Sequence, residues 1–200
     1  MEIYNEKGDK VDTEVWENRE QIHAKAFVEP NDVVLELGAR YGSVSVVINK
    51  KLNNPLNHVA VDPDSRIWEC LELNRNINDC KFHILKGCIS RKPVTLEKLD
   101  DSSGYGTTSI PTNEHTSVKS YTLEEVQEMY GLKFTTLVAD CEGFLGTFFE
   151  ENPWMYDQLN TVLYEQDYPE KCDYSVITEN LRKHGLTNLW YGTHLVWKRL

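Results

Sequence analysis

The stretch VVLELGARYGSVSVVIN, from Val33 to Asn49, decides the fold. Its opening residues, Val33 to Leu37, are apolar apart from Glu36, as in a strand buried on both faces. Its closing residues carry apolar side chains at roughly helical spacing, and the helix extends from about Ser43 to Leu52. Between them, Gly38 and Gly42 bracket Ala39-Arg40-Tyr41, so the chain leaves a strand, turns sharply and enters a helix. Strand, glycine-bearing turn and helix form one unit of a parallel α/β sheet. The turn then lies at the carboxyl end of the strand, where open sheets hold their ligands.

Outward from this unit the alternation continues. Upstream, residues 1–28 form a leading segment in which Thr13–Val28 reads as an amphipathic helix, with Val15, Ile22 and Ala26 on its apolar side, broken by Glu29-Pro30-Asn31-Asp32. Downstream, strands are expected over His58–Asp62, Phe82–Leu85, Thr135–Asp140 and Thr161–Glu165. A helix over Arg66–Asn76 has Ile67, Leu71 and Leu73 to pack, and another over Gly146–Leu159 is interrupted or kinked at Pro153. Thr122 and Glu125 have the spacing of a capping box. Asp173 can cap a helix running to His184, and Gly185 follows where a left-handed stop belongs. Leu186–Tyr191 and His194–Lys198 read as a hairpin about Gly192-Thr193. The expectation is a single α/β domain over residues 1–200, with a doubly wound, mostly parallel sheet and a C-terminal antiparallel hairpin. The polar stretch Asp101–Ser117, rich in Gly, Ser and Thr, is long for a connection and reads as an acceptor-binding or lid loop.

Composition narrows the partners. The 200 residues suffice for one sizeable core. A net charge of -11 speaks against DNA, RNA and anionic lipid, which need a positive field, and favours a neutral or cationic small ligand. No apolar run approaches the ~20 residues of a membrane span, and MEIYNEKGDKVD lacks the apolar centre of a secretory signal. The five cysteines are odd in number and contain no CxxC pair, which argues for free thiols in a reducing, cytoplasmic setting.

The chemistry-bearing residues gather at expected strand tips. The turn reads E-x-G-x-x-x-G rather than the G-x-G-x-x-G of a dinucleotide site. A glycine there lets backbone approach a ligand closely, because it lacks a Cβ. Glu36 suits a cationic group, an ammonium or a nearby sulfonium, better than a pyrophosphate. Asp62 ends the second strand and can accept both hydroxyls of an adenosine ribose, although an acid here could also cap the following helix. Leu85-Lys86-Gly87-Cys88-Ile89, Cys88 among them, would then flank the adenine. Asp140 and Glu142 stand one residue apart at the fourth tip, where they could orient an acceptor, remove a proton or share a divalent metal; Glu165 could join them. The bland reading is that neighbouring backbone N–H groups satisfy these acids. His115 and His194 are further candidate bases. No H-x-x-x-H or HExxH spacing supports a histidine metal site, and a metal is not favoured on so thin a ligand set.

In this order E-x-G-x-x-x-G, VDPD, VADCEG and TVLYEQD resemble the class I S-adenosylmethionine-dependent methyltransferases. Within them the chain looks most like the FkbM-type family, with its D-x-G-A-N-x-G loop, E-P acid and I-D-x-E-G strand end. The resemblance covers about Glu29 to Asp167. It implies a Rossmann-like fold, S-adenosyl-L-methionine as cofactor, and O-methylation of a sugar hydroxyl on a glycan or glycosylated small molecule. Glu36, Gly38, Ala39 and Gly42 match the cofactor loop, Asp62 the ribose acid, and Asp140, Glu142 and Gly143 the strand end. Arg40 stands where the family has Asn, and Cys141 replaces an apolar residue between the acids. A sugar hydroxyl is a weak nucleophile, so its attack needs positioning and a proton acceptor. Asp140, Glu142 and His115 are the candidates for that role; Glu36, Gly38, Ala39, Gly42, Asp62 and Cys88 are those for cofactor binding. Two other readings stay open: a dinucleotide-dependent oxidoreductase, against which the glycine spacing counts, and a non-catalytic nucleotide-binding or interaction module.

Overall fold

The computed structural model describes residues 1–98 and 107–200. After α1 (Asn18–Phe27), the chain forms β1 (Val34–Leu37), α2 (Ser43–Lys51), β2 (His58–Asp62), α3 (Trp68–Ile77) and β3 (His83–Lys86). Four short strands follow, β4 (Cys88–Ile89), β5 (Val94–Lys98), β6 (Thr107–Pro111) and β7 (Ser120–Tyr121), and then α4 (Leu123–Tyr130). The second half holds β8 (Thr136–Ala139), α5 (Leu145–Glu151), α6 (Met155–Gln158), β9 (Thr161–Glu165), α7 (Tyr174–Lys183), β10 (Leu186–Trp190) and β11 (His194–Arg199).

The main sheet has the order β10-β11-β9-β8-β1-β2-β3. β1 pairs in parallel with β2 on one side and β8 on the other, and β8 pairs in parallel with β9. β11 runs antiparallel to both β9 and β10, which gives the expected hairpin at one edge. The chain runs outward from β1 to β3 and then returns to β8 on the other side of β1. The gap beyond the tips of β1 and β8 is therefore the topological switch point, where sheets of this class bind ligands.

Burial explains the sequence pattern. Every residue of β1, β2 and β8 is buried, as a parallel sheet covered on both faces requires. One face carries Leu35, Leu137, Phe134, Phe148 and Trp197; the other packs Val34, Val138, Leu163 and Val196 against Ala24, Val44 and Ile48. Local signals held where the chemistry is local. Thr122 and Glu125 form a reciprocal capping box, Asp173 accepts the Ser175 N–H, and Gly185 is left-handed at φ +83° after α7. The helical stretch breaks around Pro153, between α5 and α6.

Three expectations need correction. The leading helix begins at Asn18, because Glu17 turns left-handed at φ 54°. Its buried face is His23 and Ala24, while Val15 and Ile22 are 70% and 58% exposed and Ala26 is exposed too. The His23 ring lies 5.3 Å from the Trp190 ring of the edge hairpin, so tertiary packing, not the apolar stripe, orients α1. In α3, Leu73 faces solvent and Cys70 and Asn74 are buried with Leu71. The stretch Asp101–Ser117 is not wholly a loop: residues 107–111 are β6, paired antiparallel with β5. Residues 101–106 of that stretch lie outside the described residues. No helix among the described residues is long and apolar enough to cross a membrane.

Candidate functional site at the strand tips

The loop after β1 is fixed by its own backbone. The Gly38 and Ala39 N–H groups both donate to the Val61 carbonyl, at 3.0 and 3.1 Å. The Arg40 N–H donates to Asp62 Oδ2 at 2.8 Å, and the Gly42 N–H to the Ala39 carbonyl at 2.8 Å. Four N–H groups of the loop thus serve the protein rather than a phosphate. Gly38 has φ +85°, and a Cβ there would lie 1.7 Å from the Asp140 carbonyl oxygen. The space that the sequence reading assigned to a ligand is taken by the peptide of the neighbouring β8 tip. Gly42, at φ +83°, opens α2, and its added Cβ would meet the Leu71 side chain at 2.7 Å.

The two acids of β1 and β2 differ in station. Asp62 is buried at the cleft wall, and its two oxygens accept the Asp64 and Arg40 N–H groups, each at 2.8 Å. Each oxygen keeps a further lone pair, which is what two ribose hydroxyls need. Burial pushes the Asp62 carboxyl up to about 6, against the pull of those N–H donors. Asp64 beside it is clamped by the Arg66 guanidinium, with Nη2 at 2.6 Å and Nε at 2.9 Å. Glu36 is 2% exposed and lines a small chamber behind the cleft rather than the cleft itself. Its Oε2 accepts the Ser45 hydroxyl at 2.6 Å and meets His58 Nε2 at 2.9 Å.

The cleft measures about 350 Å³ and is framed by the tips of β1, β2, β4, β8 and β9, by β6, and by the chain entering α1. Cys88 and Ile89 line it, as does Asp62. Seven acidic side chains line it, from Glu17, Glu20, Asp62, Asp64, Asp140, Glu142 and Glu165; Arg40 is the only Lys or Arg among its lining residues, while Arg66 pairs with Asp64 and His194 with Glu20. Such a cavity attracts a cation and repels a pyrophosphate, since like charges in a partly desolvated site repel strongly.

The floor is an acid network. Asp140 directly follows β8 and shares a hydrogen bond with Glu165 at the end of β9. Burial pushes both carboxyls up, and for Asp140 the charge of Glu165 adds most to that. Solvent in the cleft reaches Asp140 and Glu17, while protein surrounds them on every other side. His194 Nε2 lies 2.5 Å from Glu20 Oε1 and 3.3 Å from Glu165 Oε1. The Glu20 hydrogen bond pushes the His194 imidazole up; burial alone would raise Glu20, but the bond from His194 and a backbone donor hold it low. Glu17, bonded by the Ser43 hydroxyl, is pushed up to about 7 by burial. Glu142 and Gly143 turn left-handed at φ 53° and +83°, and Asp167 secures that turn by accepting the Gly143 N–H at 3.0 Å. Among the described residues, two groups offer ligand atoms within 4.8 Å of one another: Glu20, Glu165 and His194, and Asp140, Glu165 and Asp167.

The structure therefore brings Gly38, Asp62, Cys88, Asp140 and Glu142 to one cleft, with Glu36 and Ala39 in the chamber behind it. It does not bring His115 there. That side chain is exposed in a separate groove with Arg66, Thr95 and Glu114, because β6 carries the chain away to the start of β5, where Pro111 pairs with Val94 and the Thr112 N–H donates to the Pro93 carbonyl. In its place β6 presents Thr107 and Ser109 to the cleft. Sequence reasoning also missed Glu17 and Glu20. Charged residues at a helix start read as solvated, and only the packing of α1 turns these two inward.

No protein-family model and no curated protein matches the chain. Solved structures do. The precorrin-6y C5,15-methyltransferase of Geobacter metallireducens aligns with a TM-score of 0.54 at 10% identity, over 90% of this chain and 89% of that one. A methyltransferase of Pyrococcus furiosus aligns at 0.50 and 18% identity, over 91% and 82%. Sp1610 of Streptococcus pneumoniae, solved in complex with S-adenosyl-L-methionine, aligns at 0.50 and 11% identity, over 90% and 72%. At such identities the likeness is one of architecture: the chain has the Rossmann-like α/β fold of solved methyltransferases, a mostly parallel sheet with an antiparallel strand pair at one edge.

Proposed function

We propose that the chain is an S-adenosylmethionine-dependent methyltransferase working in the strand-tip cleft. The observation that carries this reading is the charge of the cleft. Acidic side chains outnumber basic ones in its lining even after Asp64 is paired with Arg66 and Glu20 with His194, and the loop N–H groups that would cradle a pyrophosphate are bonded within the protein. Such a lining suits a ligand bearing an ammonium and a sulfonium, and it tells against the dinucleotide reading. When bound, S-adenosylmethionine supplies a methyl group made electrophilic by its sulfonium. Asp62 accepts the ribose hydroxyls, and Cys88 and Ile89 flank the base. Asp140 and Glu142 orient the acceptor, and Asp140, coupled to Glu165, receives its proton. The fold likeness supports this reading, as does the S-adenosyl-L-methionine held by one of the solved neighbours.

The finer assignment, an FkbM-type enzyme acting on a sugar hydroxyl, draws its support from the motif resemblance. An uncharged acceptor suits this acidic cleft better than a phosphate-bearing one, and Thr107 and Ser109 add hydroxyl groups to its rim. The five cysteines are free, which agrees with a reducing compartment such as the cytoplasm. The test is thermal stabilisation by S-adenosylmethionine, S-adenosylhomocysteine and NAD in parallel. A ligand at 100 times its Kd stabilises by ~2.7 kcal/mol, which moves the Tm of a chain this size by roughly 5–10 °C. The two adenosyl ligands should shift it and NAD should not; a shift with NAD alone overturns the proposal.

A further inference from the structure

Adjoining the cleft, and sharing Glu17, Glu20, Gly38, Asp140 and Glu165 with it, lies a second chamber of about 30 Å³, which is room for one or two water-sized species. Three separate elements deliver side chains to it: Glu20 from α1, Glu165 from the end of β9 and His194 from the start of β11. Their side chains are 15%, 28% and 12% exposed. The ligand atoms lie within 4.8 Å of one another, with His194 Nε2 at 2.5 and 3.3 Å from the two carboxylates. Neighbouring ligand atoms around a small divalent ion stand roughly 3 Å apart when each bond is ~2.1 Å, so the 3.3 Å His194–Glu165 spacing fits a coordination shell, and an ion would take the place of the His194–Glu20 hydrogen bond.

Two further observations point to a bound cation. His194 Nδ1 lies 3.0 Å from the Thr193 hydroxyl, which orients the ring with Nε2 toward the carboxylates. A second hydrogen bond of this kind is what fixes metal-ligating imidazoles. Glu36, its side chain 3% exposed, also lines the chamber. Both of its hydrogen bonds end on Oε2, and Oε1 takes none among the described residues. No Lys or Arg lines the chamber to balance these acids.

We propose that Glu20, Glu165 and His194 form a binding site for a divalent first-row transition-metal ion, Mn²⁺ or Zn²⁺. One imidazole among carboxylates favours these ions over Mg²⁺ and Ca²⁺, which prefer all-oxygen sets. The site stands beside Asp140 but binds its ion with or without an adenosyl ligand, so it succeeds or fails independently of the methyltransferase reading. The experiment uses untagged, chelator-stripped protein titrated calorimetrically with MnCl₂, ZnCl₂ and MgCl₂. One equivalent of Mn²⁺ or Zn²⁺ should bind at least tenfold tighter than Mg²⁺, and His194→Gln and Glu20→Gln should each weaken that by tenfold or more. His115→Ala should leave it unchanged. Pulsed electron paramagnetic resonance of the Mn²⁺-loaded wild type needs no variant to fold, and it should show coupling to one imidazole nitrogen. The absence of a saturable site, affinity retained in both glutamine variants, or a Mn²⁺ signal without nitrogen coupling would each overturn the proposal.

Discussion

Replacing Gly38 with alanine tests the contact that shapes the cleft floor. The backbone there has φ +85°, and the new Cβ would sit 1.7 Å from the Asp140 carbonyl oxygen and 2.7 Å from its carbon. Two costs follow. A left-handed conformation costs an alanine about 1–2 kcal/mol. Relieving the overlap requires the β8 tip to retreat, which strains the Asp140 N–H bond to the Leu37 carbonyl, 3.0 Å in the intact fold. Overpacking of this kind costs a further ~1–3 kcal/mol. Together they come to about 2–5 kcal/mol, a large share of the ~5–15 kcal/mol that holds a typical domain together. At ~2–4 °C per kcal/mol, Tm should fall by roughly 10 °C. Gly131→Ala is the control, since Gly131 has φ +65° and nothing within 4 Å of an added Cβ, so it carries the first cost alone. Scanning calorimetry on both variants separates the two costs. If Gly38→Ala melts with Gly131→Ala, the crowding argument is wrong.

Other outcomes follow from the same geometry. Asp62→Ala should weaken S-adenosylhomocysteine binding by tenfold or more in a calorimetric titration, because it removes charge-assisted bonds worth ~1.5–3 kcal/mol each; undiminished affinity in a folded variant removes Asp62 from the site. Burial raises that carboxyl to about 6, so below this pH it carries a proton and no longer accepts from both hydroxyls. Affinity for S-adenosylhomocysteine should therefore be level above about pH 6 and fall toward tenfold per pH unit beneath it; a profile flat to pH 4.5 would contradict this. Asp140→Asn and Glu142→Gln should bind S-adenosylhomocysteine nearly as well as the wild type while slowing turnover on an accepted substrate, and unchanged turnover in both would make these acids structural.

The unit around Gly38 and Gly42 was legible because its signals are local: a run of Val and Leu, a turn that needs positive φ, and a helix start within ten residues. The same holds for Asp62, Asp140 and Glu165, which end strands whose buried patterns are continuous. What escaped was set by tertiary packing. The face of α1 is chosen by contact with α2 and Trp190, so its apolar residues point outward while Glu17 and Glu20 reach the cleft. β5 and β6 are short and largely polar, VTLEK and TTSIP, and a ribbon of that composition reads as loop until its partner is known. The reason for Gly38 was also beyond the sequence, since the oxygen that crowds it belongs to a residue about a hundred positions away.

The central claim is that Asp62 and Asp140 frame one adenosyl ligand across the tips of β2 and β8. A crystal structure of the protein soaked with S-adenosylhomocysteine tests it most directly. The account predicts the ribose hydroxyls within hydrogen-bond distance of the Asp62 carboxylate, the adenine beside Cys88 and Ile89, and the sulfur facing Asp140. Adenosine density bound away from Asp62, in the groove of His115 or elsewhere, would contradict it.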